Sequence, residues 1–127
     1  MSELACLELA VLLWIVHVLC QVFTSRAEFG DKFLLGARDD QPAPKGVLCG
    51  RAKRALGNYV ENLVPFAALD VALIATQQAG GLGATIWILA RIVYLPAYLA
   101  GVAYLRTAAW AVAIVGLLMM LARLAGI

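Results

Sequence analysis

Charged side chains are scarce in this sequence. Asp, Glu, Lys and Arg make up 14% of the 127 residues and hydrophobic residues 64%, with a mean hydropathy of +0.89. Soluble domains carry about 25% charged residues, so the shortage excludes an ordinary soluble globular domain. Spans of ~20 apolar residues leave room for four helices and one longer loop. The composition predicts an all-α integral membrane protein, built as an antiparallel bundle of four transmembrane helices.

Clustered metal ligands and a basic N-terminal segment are also missing. The three cysteines, Cys6, Cys20 and Cys49, form no CxxC or CxxH spacing, which argues against a disulfide framework and against a metal site. Glu3 and Glu8 stand where a signal peptide carries Lys or Arg. The first apolar run is therefore expected to remain in the protein as a helix.

Four apolar runs divide residues 1–127 into the helices of one membrane domain. The predicted helices cover residues 4–23, 51–77, 84–105 and 107–125. A polar loop at 24–50 joins the first two helices. Loops of this length are usually functional or disordered, so this one is a candidate wall for a site.

The basic residues are concentrated in one region. Seven of the ten lie between positions 24 and 57, and cytoplasmic loops of membrane proteins are enriched in Lys and Arg. The 24–50 loop is therefore expected in the cytoplasm, with the termini and the 78–83 turn on the opposite side. The short chain, and the lack of a retrieval signal in its last residues, favour a bacterial inner membrane.

One face of the second predicted helix is polar. Arg51, Arg54, Asn58, Glu61 and Pro65 follow one another at spacings of 3, 4, 3 and 4, which stack side chains on one side of an α-helix. The carboxylate in this set would lie below the membrane interface. Ionisable groups at that depth face a protein interior or a wet cavity and pair with opposite charge.

The third helix continues the pattern. Arg91, Tyr94 and Tyr98 share a face at spacings of 3 and 4, and Arg91 is the expected partner of Glu61. The pair is either part of a site or a purely structural buried ion pair. The two tyrosines either line that site or belong to an interfacial aromatic belt.

The fourth helix brings three more polar or aromatic residues to the same depth. Arg106, Thr107 and Trp110 lie at its cytoplasmic end, level with the polar faces of the second and third helices. The three sets together predict an arginine-rich pocket with one carboxylate, one amide and several hydroxyls. Because guanidinium groups bind carboxylates bidentately, such a pocket suits a small polyanionic ligand that carries amides.

Two segments resemble signatures of a known family. They are RAKRALGNYVENLVPF, from Arg51 to Phe66, and RIVYLPAY, from Arg91 to Tyr98, which is followed by Leu105, Arg106 and Thr107. Both resemble motifs of the MAPEG proteins, the membrane-associated proteins of eicosanoid and glutathione metabolism. The length and the four-helix arrangement match over essentially the whole chain.

The resemblance implies a homotrimer with glutathione bound between neighbouring subunits near the cytoplasmic face. It also implies a detoxifying transfer of the glutathione thiolate to a lipophilic electrophile or a lipid hydroperoxide. The glutathione contacts carried over from the motifs are Arg54, Asn58, Glu61, Tyr94, Tyr98, Arg106 and Trp110, with Arg26 at the end of the first helix.

Arg91 joins this ligand set because it shares the predicted pocket. Arg106, or the adjacent Thr107 hydroxyl, is the expected catalytic group that stabilises the thiolate. Two positions depart from the family pattern: Gly57 stands where some relatives carry a further basic residue, and Tyr94 where some carry His.

Charges within the predicted spans give a second reason to expect a trimer. Glu61, Asp70 and Arg91 are more than one four-helix unit is expected to hide. Asp70 is half a turn from Glu61 and is expected to line a subunit contact. His17 is expected to be a packed histidine that bonds a neighbouring helix.

The sequence is compatible with three functions. The leading hypothesis is a glutathione transferase or peroxidase whose partners are glutathione, a hydrophobic or lipid substrate, and membrane lipids, with no nucleic acid. The second is a non-catalytic protein that binds lipid mediators or glutathione, against which the presence of Arg106 argues. The third is a small four-helix exporter of cations with Glu8 as its proton-coupled carboxylate. The arginine cluster would repel such cations.

Overall fold

The structure is a computed structural model that describes all 127 residues and contains only helices. Their bounds are α1 Glu3–Phe29, α2 Asp31–Leu35, α3 Val47–Ala75, α4 Gly83–Ala100 and α5 Ala103–Ala125. All except α2 are long and apolar enough to cross a membrane. The chain is therefore a multi-pass integral membrane protein, as predicted.

The first two long helices extend further into the polar region than predicted. Helix α1 continues past the predicted end at residue 23 to Phe29, and α3 begins at Val47 instead of residue 51. The intervening polar residues are compatible with a helix, and α1 stops only at Gly30, whose φ of 79° suits glycine. The predicted 24–50 loop is thus too long: it shrinks to residues 30–46 and includes the short helix α2.

The junction between α4 and α5 also differs from the prediction. Helix α4 ends at Ala100, five residues before the predicted end, because Gly101 adopts a left-handed conformation with φ 78°. Helix α5 begins at Ala103 instead of residue 107. Arg106, which the predicted bounds leave in the connecting turn, consequently lies in the first turn of α5, and Thr107 follows it instead of beginning the helix.

The core is an aromatic stack surrounded by aliphatic side chains. Helix α3 packs against α1, α4 and α5. Phe66 of α3 lies parallel to Trp87 of α4 with ring centroids 3.9 Å apart, and Tyr59 meets the same Trp87 at 5.8 Å. Stacked rings bury large apolar areas, so this cluster holds α3 against α4.

The two ends of the bundle are distinct. Glu3 accepts hydrogen bonds from the backbone N–H groups of Gly80 and Gly81 at 2.7 and 3.1 Å, and Arg123 donates to the carbonyls of Gln78 and Ala79. These contacts place both termini at the α3–α4 turn, so the three segments lie at one end of the bundle, and the side of the membrane that this end faces stays a prediction. The opposite end, which carries residues 30–46 and the α4–α5 turn, is called the loop end below.

Asp70 occupies a place other than the one expected, and His17 makes a different hydrogen bond from the one expected. Asp70 is fully buried within its own chain, so its predicted place at a subunit contact is wrong. With Arg91 also fully buried, the crowding of charge no longer supports a trimer, because one chain encloses both residues. His17 is packed as expected, with its ring 4.2 Å from that of Tyr59 on α3, but its hydrogen bond goes to Leu13 of its own helix.

Close contact between α4 and α5 depends on two glycines. A Cβ at Gly116 would lie 2.7 Å from the carbonyl oxygen of Gly83 and 3.0 Å from the backbone nitrogen of Trp87. Small residues allow membrane helices to approach in this way.

The variant Gly116→Ala should therefore lose about 1 to 3 kcal/mol of unfolding free energy through overpacking. The matched control is Gly57→Ala, since a Cβ there meets nothing within 4 Å. Unfolding of both variants in detergent micelles measures the difference. Equal stabilities would show that this helix contact is not tightly packed.

Candidate active site

A cleft at the loop end collects most of the predicted site residues. It has a volume of about 290 Å³ and opens between α3, α4 and α5. Its lining residues are Asn58, Tyr94, Tyr98, Arg106, Thr107 and Trp110. Every one of them was predicted from helical spacing or motif.

Arg106 is the free cation of this cleft. Its guanidinium lies over the ring of Tyr98, with Cζ 5.0 Å from the centroid, and its side chain makes no hydrogen bond or salt bridge within the chain. Tyr94 and Tyr98 stand side by side with centroids 5.5 Å apart. The guanidinium N–H donors are therefore available to an anion, and the nearby N-terminus of α5 favours negative charge as well.

The hydroxyl of Thr107 is hydrogen-bonded within its own helix. Its hydroxyl donates to the carbonyl of Ala103 at 2.9 Å, so the proton is already used and the oxygen remains as an acceptor. Of these two neighbouring residues, Arg106 is the one whose side-chain donors have no acceptor within the chain.

Arg91 lies behind the cleft wall. It is fully buried and donates through Nη1 and Nη2 to Oδ1 of Asn58 at 3.0 and 3.1 Å. The predicted ion pair with Glu61 is wrong: Glu61 is exposed, and the chain's one salt bridge lies elsewhere. Helical spacing placed the two residues at similar depth, but the guanidinium contacts the amide oxygen of Asn58 and three aromatic rings instead.

Three other predicted ligands lie outside the one-chain cleft. Arg54 and Glu61 are exposed on α3, one turn on either side of Asn58, and have no partner within the chain. Arg26 is exposed near the end of α1 and pairs with Asp31 at 2.6 Å. Glu8, the carboxylate that the exporter hypothesis requires, is exposed on α1 and lines none of the cavities.

A comparison with protein-family models supplies the family. The model of the MAPEG family matches residues 5–126, nearly the whole chain. The chain belongs to the MAPEG family. Comparisons with curated proteins and with solved structures found no match. Membership supports a membrane role in glutathione or eicosanoid metabolism in general, in a family that includes glutathione transferases, related enzymes and non-catalytic members.

Arg51 was not among the predicted site residues of this MAPEG protein, yet it connects two of the helices that form the cleft. Its Nη1 donates to the carbonyl of Leu99 at 3.0 Å, in the last turn of α4. A basic side chain at the C-terminal carbonyls of a helix is a favourable cap. Arg51 thereby ties α3, which carries Asn58, to the turn that leads into Arg106. The sequence offered one sign of this role: Arg51 is a basic residue near the start of α3, and Gly101, a residue type that often ends helices, follows the last turn of α4.

Proposed function

We propose that this MAPEG protein is a glutathione transferase that acts on lipophilic electrophiles, with activity on lipid hydroperoxides. The observation that carries the proposal is the uncommitted Arg106 guanidinium in a cleft that also holds an amide and two phenols. Glutathione presents two carboxylates, two peptide groups and one thiol. The hydrogen-bond donors of the cleft match the carboxylate and carbonyl acceptors of glutathione.

The proposed chemistry begins with the thiol. A free thiol has a pKa near ~8.5, and a neighbouring guanidinium lowers it by stabilising the anion. The thiol proton leaves to solvent, the sulfur forms a bond to the electrophilic carbon, and the leaving group departs with its electron pair. With a hydroperoxide, the sulfur instead attacks the terminal oxygen and breaks the O–O bond. The alkoxide that leaves takes up a proton from solvent, so the products are an alcohol and the sulfenic acid of glutathione. A second glutathione thiol condenses with the sulfenic acid to give glutathione disulfide and water.

We further propose that the site is shared between the subunits of a homotrimer. An exposed carboxylate on the membrane part of a helix is costly against lipid, and Glu61 is exposed on α3 with Arg54 on the same side. Coverage by a neighbouring subunit would remove both from lipid and add them to the site. Arg26 would reach glutathione from that neighbour.

The proposed location is a bacterial inner membrane with the loop end in the cytoplasm. The basic residues support this orientation, because they gather at the end of the bundle that also holds the cleft. Glutathione would then enter from the aqueous side. The lipophilic substrate would enter from the bilayer.

A conjugation assay tests the proposed activity. Purified protein in detergent is mixed with glutathione and a chlorinated nitrobenzene, and the thioether product is followed by absorbance; a lipid hydroperoxide is assayed in parallel. We expect turnover that saturates with glutathione. Saturable glutathione binding without turnover of either substrate would contradict the transferase proposal and support a non-catalytic binding protein.

A further inference from the structure

Arg91 is a buried cation without a carboxylate partner. Its exposed fraction is 0%, and it does not line the cleft. The buried acidic side chains of the chain are Glu3 and Asp70, and both lie toward the end of the bundle opposite the loop end. Asp70 is twelve residues beyond Asn58 on α3, about 18 Å along the helix.

Aromatic rings and one amide oxygen surround this cation. Its Cζ is 4.3 Å from the ring centroid of Tyr94, 5.1 Å from that of Tyr59 and 5.9 Å from that of Trp87. Two of its nitrogens donate to Oδ1 of Asn58 at 3.0 and 3.1 Å, and Nε has no partner. Ring faces attract a cation, but none of these groups neutralises its charge.

The pair of hydrogen bonds determines how the Asn58 amide is turned. A guanidinium has N–H donors and no acceptor, so only the oxygen of Asn58 can face Arg91. The Nδ2 group is the other arm of the same amide and makes no hydrogen bond within the chain. Asn58 lines the cleft, so this free arm is the one left for a ligand.

We infer that Arg91 is a positioning residue, which turns Asn58 into a hydrogen-bond donor toward the cleft and so selects a ligand carboxylate at that point. Arg91 acts through Asn58 and touches no ligand itself. Its unneutralised charge behind the amide strengthens the preference for an anion. The inference rests on the proposed glutathione site and assigns one of the two glutathione carboxylates to Asn58.

The variant Asn58→Asp tests this role because it keeps the size of the side chain. The new carboxylate pairs with Arg91 and presents an acceptor oxygen where the parent protein presents N–H. Affinities are measured by calorimetry for glutathione and for two analogues, each with a different carboxylate converted to a carboxamide. For one analogue, we expect the affinity ratio of glutathione to carboxamide to fall about tenfold or more, since a carboxamide can donate to the new oxygen.

Arg91 itself is tested by two substitutions. Arg91→Met frees the Asn58 amide to rotate and should lower the same affinity ratio, whereas Arg91→Lys keeps a cationic donor and should restore it toward the parent value. A purely structural role would lower the thermal unfolding midpoint without changing the ratio. Lys53→Ala, exposed on α3 and outside the cleft, is the matched control.

The outcomes separate this inference from the proposed function. An unchanged ratio for both analogues in Asn58→Asp would overturn the inference while leaving glutathione binding intact. A parent-like ratio in a folded Arg91→Met protein would do the same. If the parent protein binds no glutathione, the proposed function fails, and this inference fails with it.

Discussion

Replacing Arg106 by leucine should lower the turnover number for glutathione conjugation by about 10² to 10³-fold, the cost of removing one donor that stabilises a developing anion. The reason is that Arg106 is the one guanidinium that lines the cleft, and no group of the chain occupies its donors. Much of the glutathione affinity should remain, because the other proposed ligands are unchanged. Steady-state kinetics with varied glutathione separate the two effects.

Two hydroxyl variants complete this test. Thr107→Val removes a hydroxyl that donates to Ala103, and Tyr98→Phe removes the hydroxyl of the ring beneath Arg106. Because both variants keep the guanidinium that we propose as the thiolate donor, both should retain most of the turnover number. If Arg106→Leu remains active while Thr107→Val or Tyr98→Phe is inactive, a hydroxyl activates the thiol and our assignment is wrong. If glutathione binds but none of these variants or the parent turns over, the protein binds without activating.

Replacing Arg54 by alanine should weaken glutathione binding by ~2 to 5 kcal/mol, the cost of truncating one partner of a buried charge pair. Arg54 is exposed in the single chain and shares a face of α3 with Asn58. The expected loss therefore depends on a neighbouring subunit that covers this face and places the guanidinium against a glutathione carboxylate. Calorimetric titration of the assembled protein measures it.

Lys53→Ala is the matched control for this prediction. Lys53 is the adjacent basic residue, also exposed, but its direction on α3 differs from that of Asn58 by about 140° at 100° per residue. Its loss should change the affinity little. Equal losses in the two variants would mean that bulk positive charge at the loop end attracts glutathione. A protein that binds fully as a monomer, shown by native mass measurement in mild detergent, would contradict the shared site.

The number and order of the long helices were predictable because an apolar run of this length crosses a membrane as an α-helix, which satisfies its backbone hydrogen bonds internally. Their ends were not, because polar residues such as those after Phe23 can continue a helix as well as leave it. The structure ends α1 and α4 at Gly30 and Gly101, where φ is positive. A glycine in the sequence does not reveal whether its φ is positive.

The cleft was predictable for a related reason. Spacings of three and four residues determine which side chains share a helical face, and the six lining residues came from three such faces. Partner choice was not predictable in this way. The long side chain of Arg91 reaches Asn58 instead of Glu61, and the ring cage around it depends on Tyr59 and Trp87, which no polar pattern distinguishes from ordinary core residues.

The most direct test of the account is the ultraviolet difference spectrum of the parent protein with glutathione at neutral pH. The reference is the same protein with S-methyl glutathione, which binds without an ionisable thiol. We predict thiolate absorbance that saturates at the same glutathione concentration as binding, because the Arg106 guanidinium stabilises the anion in the cleft. Saturated binding with no thiolate absorbance would contradict the central claim that this cleft activates glutathione.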